Sequence, residues 1–241
     1  MLFFYAWSCE NEVGVMELIE MQQITTTGGN ESTMDFRSFE ETDLLMCAEI
    51  SAKAWSAVLN IINQEDAVKF MQSYIEYCLM MSDYTQVCLD GNKVIGLLFG
   101  SEGKDSKRKL SKEEQLKKRQ LLWKIATGEY GKVNNRMRFL TAFIISEIKV
   151  KFYCLKFDSE VVLFIVDKEY QGRGIGRKLL SDFLNYSRDN GSKTIFLYTD
   201  IESNWRFYEM FGFEKIREFH DNGLSVMTGK KTMSFIYRYK L

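Results

Sequence analysis

The feature that most constrains this chain is a glycine-rich turn between an apolar segment and an amphipathic one. Glu160–Val166 is apolar after its first residue, which is typical of a central strand. Residues 171–176 then read Gln-Gly-Arg-Gly-Ile-Gly, and the spacing from Arg177 to about Asn190 predicts a helix. Glycines let backbone amides approach a phosphate, and a helix N-terminus favours negative charge. The sequence therefore predicts an anion-binding loop.

The spacing of the glycines narrows the class of ligand. A dinucleotide-binding fingerprint of the form G-x-G-x-x-G would need glycine at the position of Arg177, and the Walker pattern G-x-x-x-x-G-K-[S/T] is absent. The pattern present is Gln171-x-x-Gly174-x-Gly176, with Arg173 and Lys178 adding positive charge nearby. These features favour a ligand that carries a pyrophosphate or a similar group.

This loop resembles the Q/R-x-x-G-x-G/A loop of the GCN5-related N-acetyltransferase (GNAT) superfamily, which holds the pyrophosphate of acetyl-CoA. Residues 204–213 read NWRFYEMFGF and resemble a second segment of the same superfamily, at the usual distance downstream and after a predicted strand. The resemblance covers about residues 158–219 and extends back to Thr33 by element order. It implies a mixed α/β sheet flanked by helices, with an unusual helical insertion before the central strand.

The resemblance implies acetyl-CoA as co-substrate and no metal. It also implies that backbone amides of the central strand meet the oxyanion of the reaction, and that an asparagine contacts the cofactor arm. The cofactor-binding residues that follow from it are Phe164, Ile165, Val166, Gln171, Gly172, Arg173, Gly174, Ile175, Gly176, Arg177 and Asn204.

Two residues carry the predicted proton transfers. An alkylamine has a pKa of about 10 and must lose a proton before it attacks a thioester. Glu160 stands at the position of the general base in the histone-acetyltransferase branch; a water relay to Asp200 or Glu202 is the alternative, and a merely solvated Glu160 is another. By resemblance, Tyr208 is the general acid that protonates the CoA thiolate, although it could instead be a packed aromatic residue.

Composition excludes several other kinds of chemistry. The single histidine, His220, rules out a multi-histidine metal site. The five cysteines are widely spaced without a C-x-x-C pair, which is typical of buried, reduced thiols in a cytoplasmic protein. The 32 basic and 33 acidic residues nearly cancel, which argues against a nucleic-acid or membrane-binding chain. No apolar run reaches the roughly 18 residues of a membrane span.

The chain is predicted to have an accessory or flexible segment at residues 1–31 and a single GNAT-like domain at 32–241, with a basic, helical insertion at 101–150. Residues 101–138 hold twelve Lys or Arg against five Asp or Glu; this charge is either solvated surface or a guide for an anionic ligand. The other predicted elements are strands at 33–39, 85–89, 93–99, 193–199, 214–220 and 232–239, and helices at 43–59, 65–81, 112–127, 135–150 and 204–211.

Three functions remain open at this stage. The first is acetyl transfer from acetyl-CoA to an amine through a direct ternary complex, and the second is a non-catalytic CoA-binding or interaction module. The third is another enzyme with a phosphate-bearing ligand, such as a nucleotide oxidoreductase. The acceptor is a small-molecule or peptide amine of unidentified kind. Homodimers are common in the superfamily, and the sequence does not reveal an oligomeric state.

Overall fold

A seven-stranded mixed sheet forms the centre of the molecule in the computed structural model, which describes residues 34–55, 64–102, 111–129 and 157–241. The prediction of a mixed α/β sheet flanked by helices is confirmed. The strands are β1 (Met34–Arg37), β2 (Tyr84–Asp90), β3 (Lys93–Ser101), β4 (Ser159–Val166), β5 (Thr194–Asp200), β6 (Glu214–Asp221) and β7 (Thr232–Lys240). The described helices are α1 (Leu44–Ala54), α2 (Gln64–Met80), α3 (Lys112–Thr127), α4 (Ile175–Asp189), α5 (Trp205–Phe211) and α6 (Asn222–Thr228).

The strands lie in the order β1-β2-β3-β4-β5-β7-β6. All neighbouring strands are antiparallel except β4 and β5, which are parallel and are connected through α4. A crossover helix of this kind is what a parallel connection requires. The single parallel pair therefore divides the sheet into an N-terminal and a C-terminal half.

Helices cover the two faces of the N-terminal half. On one face, β3 carries glycine where α4 approaches: a Cβ on Gly96 would lie 3.1 Å from the Ile175 side chain, and one on Gly100 would lie 2.1 Å from the Phe183 ring. On the other face, α1 and α2 pack together, with the Trp55 and Tyr74 rings 5.3 Å apart. Among the described helices, none is long and apolar enough to cross a membrane.

The residues at the two ends of α3 predict its limits correctly. Ser111 Oγ accepts a hydrogen bond from the Glu114 amide at 3.1 Å, and Glu114 Oε2 accepts one from the Ser111 amide at 2.5 Å, which forms the expected capping box. The helix ends at Gly128, whose φ of 78° suits a left-handed cap. The prediction of a helix over residues 112–127 is confirmed. The predicted segment 1–31 and the helix at 135–150 lie outside the described residues.

Two other boundaries differ from the expectations. The helix predicted to reach residue 59 ends at Ala54, because Trp55 turns out of the helical conformation and is buried against α2. Helix α6 was not expected, since Asn222 and Gly223 are typical of a turn. It forms because the carboxylate of Asp221 accepts a hydrogen bond from the Leu224 amide at 2.9 Å and so caps the helix.

Candidate active site

A cleft opens where β4 and β5 separate. The two strands pair only at Ser159–Ile195 and Glu160–Phe196, and beyond these pairs β4 has no neighbour on that side in the described sheet. On its other side β4 stays paired with β3, although the register shifts past Val162. The backbone amides and carbonyls of β4 that would bond to β5 therefore line a cleft of about 380 Å³.

The cleft brings together residues that the sequence analysis selected from three separate segments. Of the predicted cofactor-binding residues, only Arg173 is not part of its lining, and the predicted general acid also lines it. Two lining residues, Tyr170 and Phe207, were missed, although each is an aromatic residue next to a motif position. The lining consists of Phe164, Ile165, Val166, Tyr170, Gln171, Gly172, Gly174, Ile175, Gly176, Arg177, Asn204, Phe207 and Tyr208.

The glycine loop presents the start of α4 to this cleft. Gly174 occupies the N-cap position with a φ of 82° and Gly172 has a φ of 77°, both in the left-handed region that favours glycine. The amide of Lys178 bonds to the Gly174 carbonyl at 3.0 Å and so makes the first hydrogen bond of the helix. The amides of residues 175–177 precede that bond and remain available for an anion at the helix N-terminus.

The cations near the loop differ in what they contact. The Arg177 guanidinium lies 5.5 Å from the centre of the Phe211 ring and lines the cleft. Arg173 lies 4.8 Å from the Tyr170 ring centre, and Lys178 forms an ion pair with Asp182 at 2.6 Å on the exposed side of α4. Arg177 is therefore the cation of this group that is best situated for a bound anion.

Tyr208 projects into the cleft from an aromatic cluster. Its ring is buried beside those of Phe207 and Phe213, at centroid distances of 5.6 and 6.0 Å. Tyr208 is part of the cleft lining. Burial raises the pKa of Tyr208 above its ordinary value, and the negative charge of Asp200 raises it further. The phenol therefore stays protonated at neutral pH.

Glu160 lies at the apex of the cleft rather than in its lining. It is the last β4 residue that pairs with β5, and it is only 3 % exposed, so the alternative of a solvated carboxylate is wrong. Burial raises the pKa of the Cys78 thiol on α2 to about 12, and the Glu160 charge contributes to that rise. Glu160 therefore lies close enough to Cys78 of α2 to act on it electrostatically.

Asp200 is a second buried carboxylate near the cleft. It ends β5, and its Oδ1 accepts hydrogen bonds from the amides of Glu202 at 2.8 Å and Ser203 at 3.1 Å. Burial raises the pKa of Asp200 to about 7 against the favourable effect of these bonds, and the charges of Glu202 and Asp221 raise it further. A group with this pKa can exchange a proton near neutral pH.

Asn204 occupies the N-cap position of α5, yet its side chain makes no capping hydrogen bond. The side chain is exposed and lines the cleft, so it is available to a ligand. His220 lies elsewhere, on β6, with its Nδ1 2.7 Å from Asn222 Oδ1. Within the described ranges, no three His, Cys, Asp or Glu side chains gather as metal ligands would.

Comparison with protein families gives a match to the acetyltransferase (GNAT) domain over residues 122–233. The matched segment runs from α3 into β7 and contains β4, the glycine loop and α5. The chain carries a GNAT domain. The match lies within the predicted 32–241 domain without testing its boundaries, and those remain predictions.

Curated relatives are similar to this chain over short segments. It is 38 % identical over 60 residues to the N-alpha-acetyltransferase RimI of Mycobacterium tuberculosis, a match that covers 25 % of this chain and 37 % of RimI. It is 42 % identical over 62 residues to an uncharacterised protein of Mycobacterium leprae, covering 25 % of this chain and 16 % of that protein. The chain thus spans well under half the length of either relative.

Solved structures share the fold over most of the chain. A GNAT-family protein from Desulfovibrio desulfuricans superposes with a TM-score of 0.51 at 14 % identity, covering 86 % of this chain and 99 % of that one. A protein from Streptococcus mutans UA159 gives a TM-score of 0.52 at 14 % identity, covering 86 % and 98 %. At these identities the likeness establishes the GNAT fold alone.

Proposed function

We propose that this GNAT protein is an acetyl-CoA-dependent N-acetyltransferase that moves an acetyl group to a primary amine by direct attack in a ternary complex. The observation that carries the proposal is the cleft between β4 and β5. It joins available loop amides, the unpaired edge of β4 and the hydroxyl of Tyr208 in one space. Its lining supports a ligand with an anionic end and an extended polar arm.

The lining residues suit acetyl-CoA in two ways. The amides of residues 172–177 and the guanidinium of Arg177 would hold the pyrophosphate, since a helix N-terminus binds anions. The backbone edge of residues 164–166 would hydrogen-bond the amides of the pantetheine arm as a missing strand would. Asn204 adds a side-chain amide to the lining. When bound, acetyl-CoA supplies the thioester.

The reaction forms one C–N bond and breaks one C–S bond. The neutral amine nitrogen attacks the thioester carbonyl, and amides of β4 stabilise the oxyanion; donors of that kind contribute roughly 3–4 kcal/mol. The amine proton passes to a base, for which Glu160 at the apex of the cleft is the first candidate and Asp200, through water, the second. Tyr208 gives its proton to the departing thiolate.

The acceptor, partners and location belong to the same proposal. A peptide N-terminus heads the acceptor classes because the similar segment of RimI belongs to an N-alpha-acetyltransferase, and small-molecule amines follow. The described cysteines Cys47, Cys78 and Cys88 are buried and not disulfide-bonded, which supports a cytoplasmic location. We propose no nucleic-acid or membrane partner, and a homodimer as the assembly to test.

A thiol-release screen tests the activity. Purified protein and acetyl-CoA would be assayed against peptides with free N-termini, lysine peptides, polyamines, aminoglycosides and amino acids. We expect CoA release that depends on one amine class, with acetylated amine formed in equal amount. Binding of CoA without turnover on any amine would favour a non-catalytic CoA-binding module. Displacement of a bound probe by NAD(P) but not by CoA would contradict the proposal.

Gly174→Ala should weaken acetyl-CoA binding about tenfold. A left-handed φ costs a non-glycine residue roughly 1–2 kcal/mol, and the added methyl group would stand where the pyrophosphate approaches the backbone. The matched control is Gly191→Ala at the other end of α4, where φ is 84° and a Cβ would again meet nothing within 4 Å. Calorimetric titration should show weaker binding for the first variant only. Equal binding by both would mean that the loop does not hold the ligand.

A further inference from the structure

The β2–β3 turn touches the segment that leads into the glycine loop. Tyr170 ends a 3-10 turn at Lys168–Tyr170, directly before Gln171, and lines the cleft. Its hydroxyl donates a hydrogen bond to Asp90 Oδ2 at 3.0 Å. Asp90 is the last residue of β2, 80 positions earlier in the chain, so this contact is a tertiary one.

Lys93, the first residue of β3, makes a second link. Its ammonium lies 3.4 Å from Asp167 Oδ2 and 4.9 Å from the centre of the Tyr170 ring. Asp167 is buried, its amide donates to the Ile95 carbonyl at 2.8 Å, and its Oδ1 accepts from the Glu169 amide at 3.2 Å. The carboxylate of Asp167 therefore links the 3-10 turn to β3.

The two contacts fix the 3-10 turn from the same hairpin. With the Tyr170 hydroxyl held by Asp90 and the ring flanked by Lys93 and Arg173, one wall of the cleft is set before any ligand enters. A loop that is ordered in advance loses less conformational entropy when it binds, and the gain appears as affinity. The sequence signal for this arrangement was weak, because it depends on residues from distant segments.

We infer that Asp90 and Lys93 are positioning residues that hold Tyr170 and the glycine loop in the shape that binds acetyl-CoA. The inference rests on the proposed function, since it assigns to these residues the cofactor affinity of the same cleft. They act on binding through Tyr170 and take no part in acetyl transfer. Their loss should therefore change the Kd and KM for acetyl-CoA and leave kcat within twofold.

A double-mutant cycle on the Tyr170–Asp90 hydrogen bond tests this. Tyr170→Phe, Asp90→Ala and the double variant would be titrated with acetyl-CoA, and KM and kcat measured with an accepted amine. Each single change should raise Kd and KM about five- to tenfold, and the double variant should bind no more weakly than the weaker single variant. Asp90→Asn retains an acceptor oxygen and should bind within twofold of wild type.

Tyr84→Phe is the matched control, because Tyr84 also lies on β2 but its hydroxyl donates to Gln86 of the same strand at 3.0 Å rather than to the 3-10 turn. Phenylalanine would keep the ring contacts of Tyr84 with Phe183 and Tyr186 on α4. It should bind acetyl-CoA as wild type does, and thermal melting would show whether any variant is unfolded. The inference would be overturned if the increases in Kd of the two single variants multiplied in the double variant, or if kcat fell while Kd stayed unchanged. Either result would leave the proposed function standing. A wild-type protein that does not bind acetyl-CoA would overturn both.

Discussion

Replacing Tyr208 with phenylalanine should lower kcat about a hundredfold and leave the affinity for acetyl-CoA unchanged. The phenylalanine ring would keep the contacts with Phe207 and Phe213, so the change removes only the hydroxyl of a residue that lines the cleft. Loss of a positioned general acid typically costs about 10²- to 10⁴-fold in rate. Steady-state kinetics and a titration with acetyl-CoA on the same preparation would measure both quantities.

The raised pKa of Tyr208 determines how its proton can be transferred and over which pH range the hydroxyl stays protonated. A thiol has a pKa of about 8.5 and a phenol about 10, so the phenol is the weaker acid even before burial raises its pKa further. The proton must therefore move as the C–S bond breaks, and the hydroxyl is protonated across the neutral range. No loss of activity from phenol ionisation is expected up to pH 9.

Tyr237→Phe is the control for Tyr208→Phe. The two rings are 6.1 Å apart in the same aromatic cluster, but the Tyr237 hydroxyl donates to Glu209 at 2.9 Å and does not line the cleft. This variant should retain a kcat within threefold of wild type. If both variants lost turnover equally, the effect would reflect the cluster, and Tyr208 would not be the acid.

Asp200→Asn should stabilise the protein at pH 8 by up to about 4 kcal/mol and change its stability little at pH 4, since each unit between a pKa of 3.8 and one of about 7 corresponds to about 1.4 kcal/mol. The folded-state pKa of about 7 is higher than the ordinary value of 3.8, so folding disfavours the charged carboxylate. The wild-type protein therefore loses stability as the pH rises from about 4 to about 7. Asparagine removes the charge and keeps an oxygen for the amides of Glu202 and Ser203.

Denaturant unfolding of both proteins at pH 4 and pH 8 would measure the difference. An equal change at the two pH values would show that the buried charge is not its cause. The same variant separates the two candidate bases: if Asp200 accepts the amine proton, kcat/KM loses its rise near pH 7. If Glu160 is the base, Asp200→Asn keeps the pH dependence and the kcat of wild type, whereas Glu160→Gln loses kcat.

The cleft residues that could be predicted from the sequence are those whose positions are determined by their neighbours along the chain. The glycines of residues 171–176 follow a buried strand directly, and Tyr208 and Asn204 lie on one short helix that ends at Gly212. Spacing along the chain therefore fixes how these groups are presented. Strand β4 and the capped helix α3 were located for the same reason, and the roles assigned to the site residues remain predictions.

The remaining features depend on packing between distant segments. Whether Glu160 is solvated or buried is decided by α2 and β5, which its own neighbours do not reveal. The role of Tyr170 depends on Asp90, and the limit of the β4–β5 pairing depends on the twist and register of the whole sheet. Such contacts join residues that are tens of positions apart, and no short pattern encodes them.

The short pairing of β4 with β5 has a consequence for the life of the protein in a cell. Two residue pairs join β4 and β5 at one end, so no backbone hydrogen bonds hold the other ends of these two strands together. A ligand that binds between the strands would stabilise the native state by mass action. Under the proposed function, starvation for acetyl-CoA would then expose more of the chain to proteases, and its abundance would follow the supply of its own co-substrate.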